Sequence, residues 1–256
     1  MNINTLSVVH KNAKIGNNVT IGPFCTVGEN VEIGDGTTLI SHVVVDGYTT
    51  IGQNCTIFPG AAIGLITQDL KFKGEKTFVK IGSGTTIREN VTVNSATGEG
   101  TETVVGDNCH IMAYAHIAHN CIVGNNVIIA NVGTLAGCVT IEDQAIIGGL
   151  VAIHQFCRIG KLSIVGGCSK VVQDIPPYMM ADGHPAVVRG INSVGMKRKG
   201  HTLETQRTLK NVCKVFFRSD LNTKQALEKL SDLPQLPEVK EFIQFVNKSE
   251  RGICRP

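Results

Sequence analysis

The sequence predicts an all-β solenoid of short strands over residues 1–191, followed by a helical domain over 192–256. Three observations predict it. In 25 hexads between Val9 and Val171, an Ile, Leu or Val opens the unit, always in the same phase. The two breaks in that phase, after Ile63 and after Val93, are whole multiples of six, so they read as loops inserted between coils near 65–80 and 94–104. Beyond residue 191 the spacing of apolar residues becomes helical. A period of six fits neither an α-helix nor a simple alternating strand.

Typical units are Ile21-Gly22-Pro23-Phe24-Cys25-Thr26 and Ile51-Gly52-Gln53-Asn54-Cys55-Thr56. The leading aliphatic points into a narrow interior. The small fifth residue also points inward, close to a corner with little room. Gly and Asn supply the turn conformations. This pattern resembles the hexapeptide-repeat acyltransferases. The resemblance, which covers about residues 1–190, implies a left-handed parallel β-helix of three hexads per coil, an exception to the right-handed crossover rule.

A chain of 256 residues can bury one long core with an appendage. No apolar run is long enough to span a bilayer and the N-terminus lacks a signal-peptide layout, so we expect a cytoplasmic protein. Of nine cysteines, Cys25, Cys55, Cys109, Cys121 and Cys157 fall on the fifth, inward place of a hexad. They are expected as buried small hydrophobes in a reducing compartment rather than as disulfides. No Cys-x-x-Cys pair supports a zinc ribbon.

Charge is uneven. Residues 1–191 carry 11 Lys/Arg against 14 Asp/Glu, and residues 192–256 carry 13 against 7. The basic residues of the tail are spread at helical intervals and are not interleaved with stacking aromatics, so an acidic protein partner is expected and nucleic acid is not. Thr202 is a candidate N-cap for a helix containing Leu203, Leu209, Val212, Cys213, Phe216 and Phe217. Asn222 with Gln225 forms a capping-box pattern ahead of Leu227, Leu230 and Leu233. Pro237 suits the first turn of a third helix. Pro176-Pro177 and Gly183-His184-Pro185 mark the exit from the solenoid.

With eighteen residues per coil, His119, Gly137 and Gln155 stack in one column, about 4.8 Å apart. A histidine beside a glycine one coil away suits acyl transfer. The imidazole takes a proton from the acceptor, the Gly N–H faces the developing oxyanion, and the missing side chain admits substrate. On stacking alone the column reads equally as a polar face with a surface histidine. His116 and His154 likewise read as hydrogen-bonded structural histidines, and Arg198 and Lys199 as a solvated basic turn. A zinc site from His110, His116 and His119 is not expected, because spacings of six and three fall on different faces.

The run Ala115-His116-Ile117-Ala118-His119-Asn120-Cys121 resembles the His-Ile-Ala-His-Asp-Cys segment of the UDP-N-acetylglucosamine O-acyltransferases that open lipid A biosynthesis. Thr134-Leu135-Ala136-Gly137, His154-Gln155-Phe156-Cys157, Val165-Gly166-Gly167-Cys168 and Thr67-Gln68-Asp69-Leu70-Lys71 match further segments of that family. The resemblance implies His119 as general base, the Gly137 N–H as oxyanion donor, and His116, His154 and Gln155 as substrate-positioning groups. It implies substrate binding by Gln68, Asp69 and Lys71 on the first loop and nucleotide binding by Asn192, Arg198 and Lys199. A cationic pair there suits a diphosphate. Gly167 would leave room for a long 3-hydroxyacyl chain, although a close-packed solenoid glycine reads the same way.

The resemblance further implies a homotrimer with clefts between subunits, 3-hydroxyacyl-acyl carrier protein as donor, UDP-N-acetylglucosamine as acceptor, and no metal or redox cofactor. Direct transfer is expected, since no Ser or Cys stands in a nucleophile motif beside His119; Cys138 is the nearest exception. The N-acyltransferase of the same pathway carries an extra N-terminal domain, whereas the repeat here starts by residue 9. The chain departs from the family at Asn120 (Asp), Cys138 (His), Val194 (acidic) and the start of the second loop at Asn94. An amide in place of a charged orienter suggests a better nucleophile as acceptor, a 3-amino analogue of the sugar nucleotide. A non-catalytic paralogue that binds sugar nucleotide or carrier is the remaining alternative.

Overall fold

The computed structural model describes residues 2–255. Short strands, mostly of two residues, form three sheets of 11, 9 and 8 strands, parallel except for the last strand of the first. Along the regular coils each strand pairs with the equivalent strand one coil away, as in Asn2↔Thr20, Ile3↔Ile21 and Lys14↔Glu32, a register of eighteen residues that lengthens where the two insertions intervene, as in Thr56↔Thr86 and Thr86↔His110. The architecture is a left-handed parallel β-helix. Its repeat starts one hexad earlier than Val9, at the strand Asn2–Ile3.

The hexad residues divide the labour as their chemistry requires. Leading aliphatics such as Ile21, Leu39, Ile57, Ile87 and Ile129 are fully buried, each contributing about 1.5–3 kcal/mol of apolar burial. Cys25, Cys55, Cys109, Cys121 and Cys157 are buried free thiols at the inward fifth place. Where that place holds Thr, the hydroxyl ties coils together. The Thr37 Oγ1 donates to the Gly52 carbonyl at 2.8 Å and accepts from the Cys55 N–H at 3.0 Å.

Corners use left-handed backbone. Asn18, Asn54, Asn90, Asn108 and Asn126 sit at φ of 53–56°. Phe24, Tyr114, Val132 and Leu150 occupy the same corner position, where side chains other than Asn or Gly are unfavourable. The inter-coil ladder enforces it: the Val132 N–H is fixed at 3.0 Å on the Ala113 carbonyl.

The solenoid ends in an antiparallel hairpin, Met179–Gly183 with Ala186–Ile191, which the hexad pattern does not indicate. Four helices follow: α1 (Ser193–Arg198), α2 (Leu203–Phe217), α3 (Thr223–Leu230) and α4 (Pro237–Asn247). Helix α1 was not anticipated from sequence; it starts because the Asn192 side chain accepts from the Gly195 N–H. The Thr202 cap, the Asn222/Gln225 capping box and Pro237 at the first turn of α4 all form. Phe216, Phe217 and Phe242 close the helical core edge to face. Among the described residues no helix is long and apolar enough to cross a membrane.

Candidate active site

One edge of the prism carries the chemistry. The two insertions leave the strands Ala62–Leu65 and Thr92–Asn94 of the nine-stranded sheet. They return at Phe78 and Glu102 in the eight-stranded sheet. The next three coils turn at that same edge with His119-Asn120, Gly137-Cys138 and Gln155-Phe156. A cleft of about 670 Å³ results, lined by residues of all five coils, among them Gln68, Asp69, Lys71, His116, His119 and Gly137.

The predicted column exists. A Cβ added to Gly137 would stand 2.2 Å from Nε2 of His119, so only glycine admits the imidazole in this position. The Cys138 N–H donates to the His119 carbonyl at 2.9 Å, and the Phe156 N–H donates to the Gly137 carbonyl at 3.2 Å. The Gly137 N–H pairs with no backbone carbonyl of the described residues.

Asn120 fixes the tautomer of His119. Its Oδ1 lies 2.9 Å from Nδ1 of His119 and also accepts from the Thr97 N–H at 2.9 Å. Its Nδ2 donates to the Thr97 carbonyl at 3.2 Å and to Oγ1 of Thr101 at 3.1 Å. These second-loop partners allow one amide orientation only. An amide oxygen can only accept, so Nδ1 carries the proton and Nε2 presents its lone pair to the cleft. Asp69 places Oδ2 4.0 Å from that Nε2, and the Lys71 N–H bonds the other Asp69 oxygen at 3.0 Å.

His116 is half-buried behind this pair, with Nδ1 2.7 Å from Oγ1 of Thr92. Burial, and secondarily the neighbouring His119, hold its imidazole below the usual histidine range. Burial, assisted by the charge of Asp69, raises the Cys138 thiol above its ordinary value. Asn94, nearly buried, has an Oδ1 with no partner, while its Nδ2 donates to the Ile66 carbonyl at 3.3 Å. Among the described residues no group of three His, Cys, Asp or Glu side chains is placed to hold a metal.

Other residues named from the sequence lie apart within one chain. His154 directly precedes Gln155 at the cleft edge and faces Arg251. Asn192 is buried, its Nδ2 on the Leu162 carbonyl at 2.9 Å and its Oδ1 capping α1. Arg198 closes α1 and Lys199 caps it, both exposed. Gly167 packs under Gly149, whose carbonyl would meet an added Cβ at 3.3 Å. Sequence reasoning missed Thr97 and Thr101, because their role depends on how the second loop folds back over Asn120.

Comparison with known proteins identifies the family. The bacterial transferase hexapeptide model matches residues 12–47 and 102–133. The second-domain model of UDP-N-acetylglucosamine O-acyltransferase matches residues 174–254. The chain is 52% identical to the acyl-(acyl-carrier-protein)–UDP-N-acetylglucosamine O-acyltransferase of Thermodesulfovibrio yellowstonii, over 99% of both chains. It is 48% identical to the Synechocystis enzyme of the same name, over 81% of this chain and 75% of that one. The solved structure of LpxA, a UDP-N-acetylglucosamine acyltransferase from Bacteroides fragilis, superposes with a TM-score of 0.96 at 42% identity, covering 98% of this chain and 99% of that one. The likeness thus runs over nearly the full length of the chain, and the chain belongs to the acyl-carrier-protein-dependent UDP-N-acetylglucosamine O-acyltransferase family of acyltransferases.

Proposed function

We propose that the protein transfers a 3-hydroxyacyl chain from acyl carrier protein to the 3-hydroxyl of UDP-N-acetylglucosamine, the first step of lipid A biosynthesis, by direct transfer. The observation that carries the mechanism is the Asn120 Oδ1 at 2.9 Å from Nδ1 of His119, which leaves Nε2 as a base beside Gly137. Nε2 takes the hydroxyl proton as the oxygen attacks the thioester carbon. The Gly137 N–H stabilises the tetrahedral oxyanion. Collapse expels the carrier thiolate, which receives the proton from the imidazolium. Asp69, 4.0 Å from Nε2, is the nearest carboxylate to the charge that the ring carries in between. A covalent acyl-cysteine is disfavoured, because burial keeps Cys138 as a thiol.

In this reading Gln68, Asp69, Lys71, His116, His154 and Gln155 hold substrate, and Gly167 leaves space for a long acyl chain. Asn192, Arg198 and Lys199 lie outside the cleft of their own chain, and Leu70 at its rim is fully exposed. Both features support a homotrimer in which another copy completes the site and covers the loop. The excess of cations in 192–256 supports docking of an acidic carrier protein, and the free buried cysteines support a reducing cytoplasm as the site of the reaction.

A second reading is N-acylation of a 3-amino analogue of the sugar nucleotide. Neutral Asn120 beside His119 favours it, since an amine needs less help from a base. The test is a mass-spectrometric competition assay with 3-hydroxyacyl-carrier-protein donors of several lengths and both sugar nucleotides. An ester that disappears with His119→Ala is the expected result. An amide as the main product selects the second reading. No product from any pair leaves a binding paralogue.

A further inference from the structure

Beyond α4 the chain returns to the last coil of the solenoid. Ile253 pairs with Asp174 as an added parallel bridge. The Asp174 N–H donates to the Gly252 carbonyl at 2.8 Å and the Cys254 N–H donates to the Asp174 carbonyl at 2.9 Å. Asp174 itself is 1% exposed and accepts from Oγ of Ser249 at 2.6 Å and from the Arg158 N–H at 2.8 Å. Arg255 anchors the far end on the Leu221 carbonyl at 3.2 Å and Oγ1 of Thr223 at 3.1 Å. The strap is therefore held at both ends by buried or charge-assisted bonds.

Arg251, in the middle of this strap, points along the coil to the cleft edge. Its NH2 group lies 3.2 Å from Nδ1 of His154 and 3.4 Å from the Val172 carbonyl. Its Nε is buried without a partner, so the guanidinium is fixed by the strap and by these two contacts. The Gln155 carbonyl, 3.2 Å from the same Nδ1, competes for that nitrogen. A guanidinium can only donate. If Nδ1 carried a proton for the Gln155 carbonyl, two N–H groups would face each other beside a fixed cation. The exposed Gln155 has solvent as an alternative, whereas the NH2 group of half-buried Arg251 finds among the described residues only the long Val172 contact besides Nδ1, and a cation beside that nitrogen favours its lone pair.

We propose that Arg251 is a positioning residue that fixes His154 as the neutral tautomer protonated on Nε2, so that His154 offers substrate an N–H donor and not a lone pair. The ligand chemistry is an acceptor oxygen, a hydroxyl, carbonyl or phosphate of the acyl donor or the sugar nucleotide. The proposal deepens the proposed function and rests on its assignment of His154 to substrate. It also gives the C-terminal strap a role: the segment that seals the solenoid sets the polarity of one side chain at the edge of the site.

The test is nitrogen NMR of the full chain labelled with 15N-histidine, with His154 assigned by its loss in His154→Asn. The expected wild-type spectrum has a pyridine-type Nδ1 and a pyrrole-type Nε2. Arg251→Met should move both nitrogens towards a tautomer mixture, leave the other histidines in place, and raise KM for one substrate about fivefold, the worth of one hydrogen bond, with kcat within twofold. Arg251→Lys, which keeps a donor, should restore most of both. A protonated Nδ1 in the wild type, or an unmoved tautomer in Arg251→Met, overturns the proposal. A shifted tautomer with KM unchanged in Arg251→Met and in His154→Asn overturns instead the assignment of His154 to substrate.

Discussion

Oδ1 of Asn120 sits 2.9 Å from Nδ1 of His119, and the second inserted loop fixes which amide atom faces the ring. Orientation of the base thus comes from a neutral group locked by backbone, and the nearest carboxylate, Asp69, lies on the opposite side, 4.0 Å from Nε2. Asn120→Leu should lower kcat about 10- to 100-fold, with KM little changed, because only the tautomer and ring orientation are lost. Asn120→Asp should keep most activity, since a carboxylate also accepts from Nδ1. Steady-state kinetics check both; a Leu variant with wild-type kcat would remove Asn120 from the mechanism.

Gly137 is set by contact with His119 and not by backbone angle, since a Cβ there would come within 2.2 Å of Nε2. Gly137→Ala should therefore push the imidazole away from its place beside the Gly137 N–H, the oxyanion donor. We expect kcat to fall at least about 100-fold, comparable to losing an oxyanion donor, while Tm moves by only a few degrees because His119 borders an open cleft. Thermal melting alongside turnover separates these effects. A large fall in Tm would mean that the glycine supports the coil itself.

The period of six was legible because a β-helix repeats one environment: the same inward place recurs, and Ile, Leu or Val fills it each time. That regularity also made the column His119, Gly137, Gln155 readable without coordinates. The Asn120 network was not readable, because Thr97 and Thr101 reach it through a loop outside the repeat. Arg251 was missed for a similar reason: 97 residues separate it from His154, and nothing in a basic tail marks one cation as turned inward. Asn192 was read from the family resemblance as a nucleotide contact, while the fold engages both ends of its amide internally.

His116 ties stability to pH. Burial, and then His119, depress its folded-state value below that of the unfolded chain, near 6.5. Above that value both states are neutral at this site. As pH falls below it the unfolded chain binds a proton that the folded chain resists, so stability is lost through that window. His116→Gln should flatten the decline of Tm between pH 7 and 5 relative to wild type. An identical pH slope in the two proteins would show that His116 is protonated as readily in the fold as outside it.

Cys138 stands beside Gly137 yet is a poor nucleophile, its thiol raised by burial and by Asp69. Alkylation by iodoacetamide at pH 8 should be slower than for a free thiol, and Cys138→Ala should retain kcat within about threefold, since no covalent step passes through it. Trapping an acyl group on this residue by intact-mass spectrometry during turnover would contradict direct transfer.

Asn192 and Arg198 should separate by readout although the family resemblance groups them. The Asn192 side chain spends Oδ1 on the Gly195 N–H and Nδ2 on the Leu162 carbonyl, joining the first turn of α1 to the solenoid. Asn192→Ala removes an N-cap and strands a buried carbonyl, which should cost about 1–2 kcal/mol of stability. Arg198 is exposed at the end of α1, so Arg198→Ala should leave Tm unchanged. If the pair Arg198-Lys199 meets a diphosphate in the assembled protein, the same variant should raise KM for the sugar nucleotide and weaken its dependence on salt. Denaturant melts and sugar-nucleotide titrations on the two variants check this. A stability loss in Arg198→Ala, or a KM effect in Asn192→Ala without one, would reverse the two assignments.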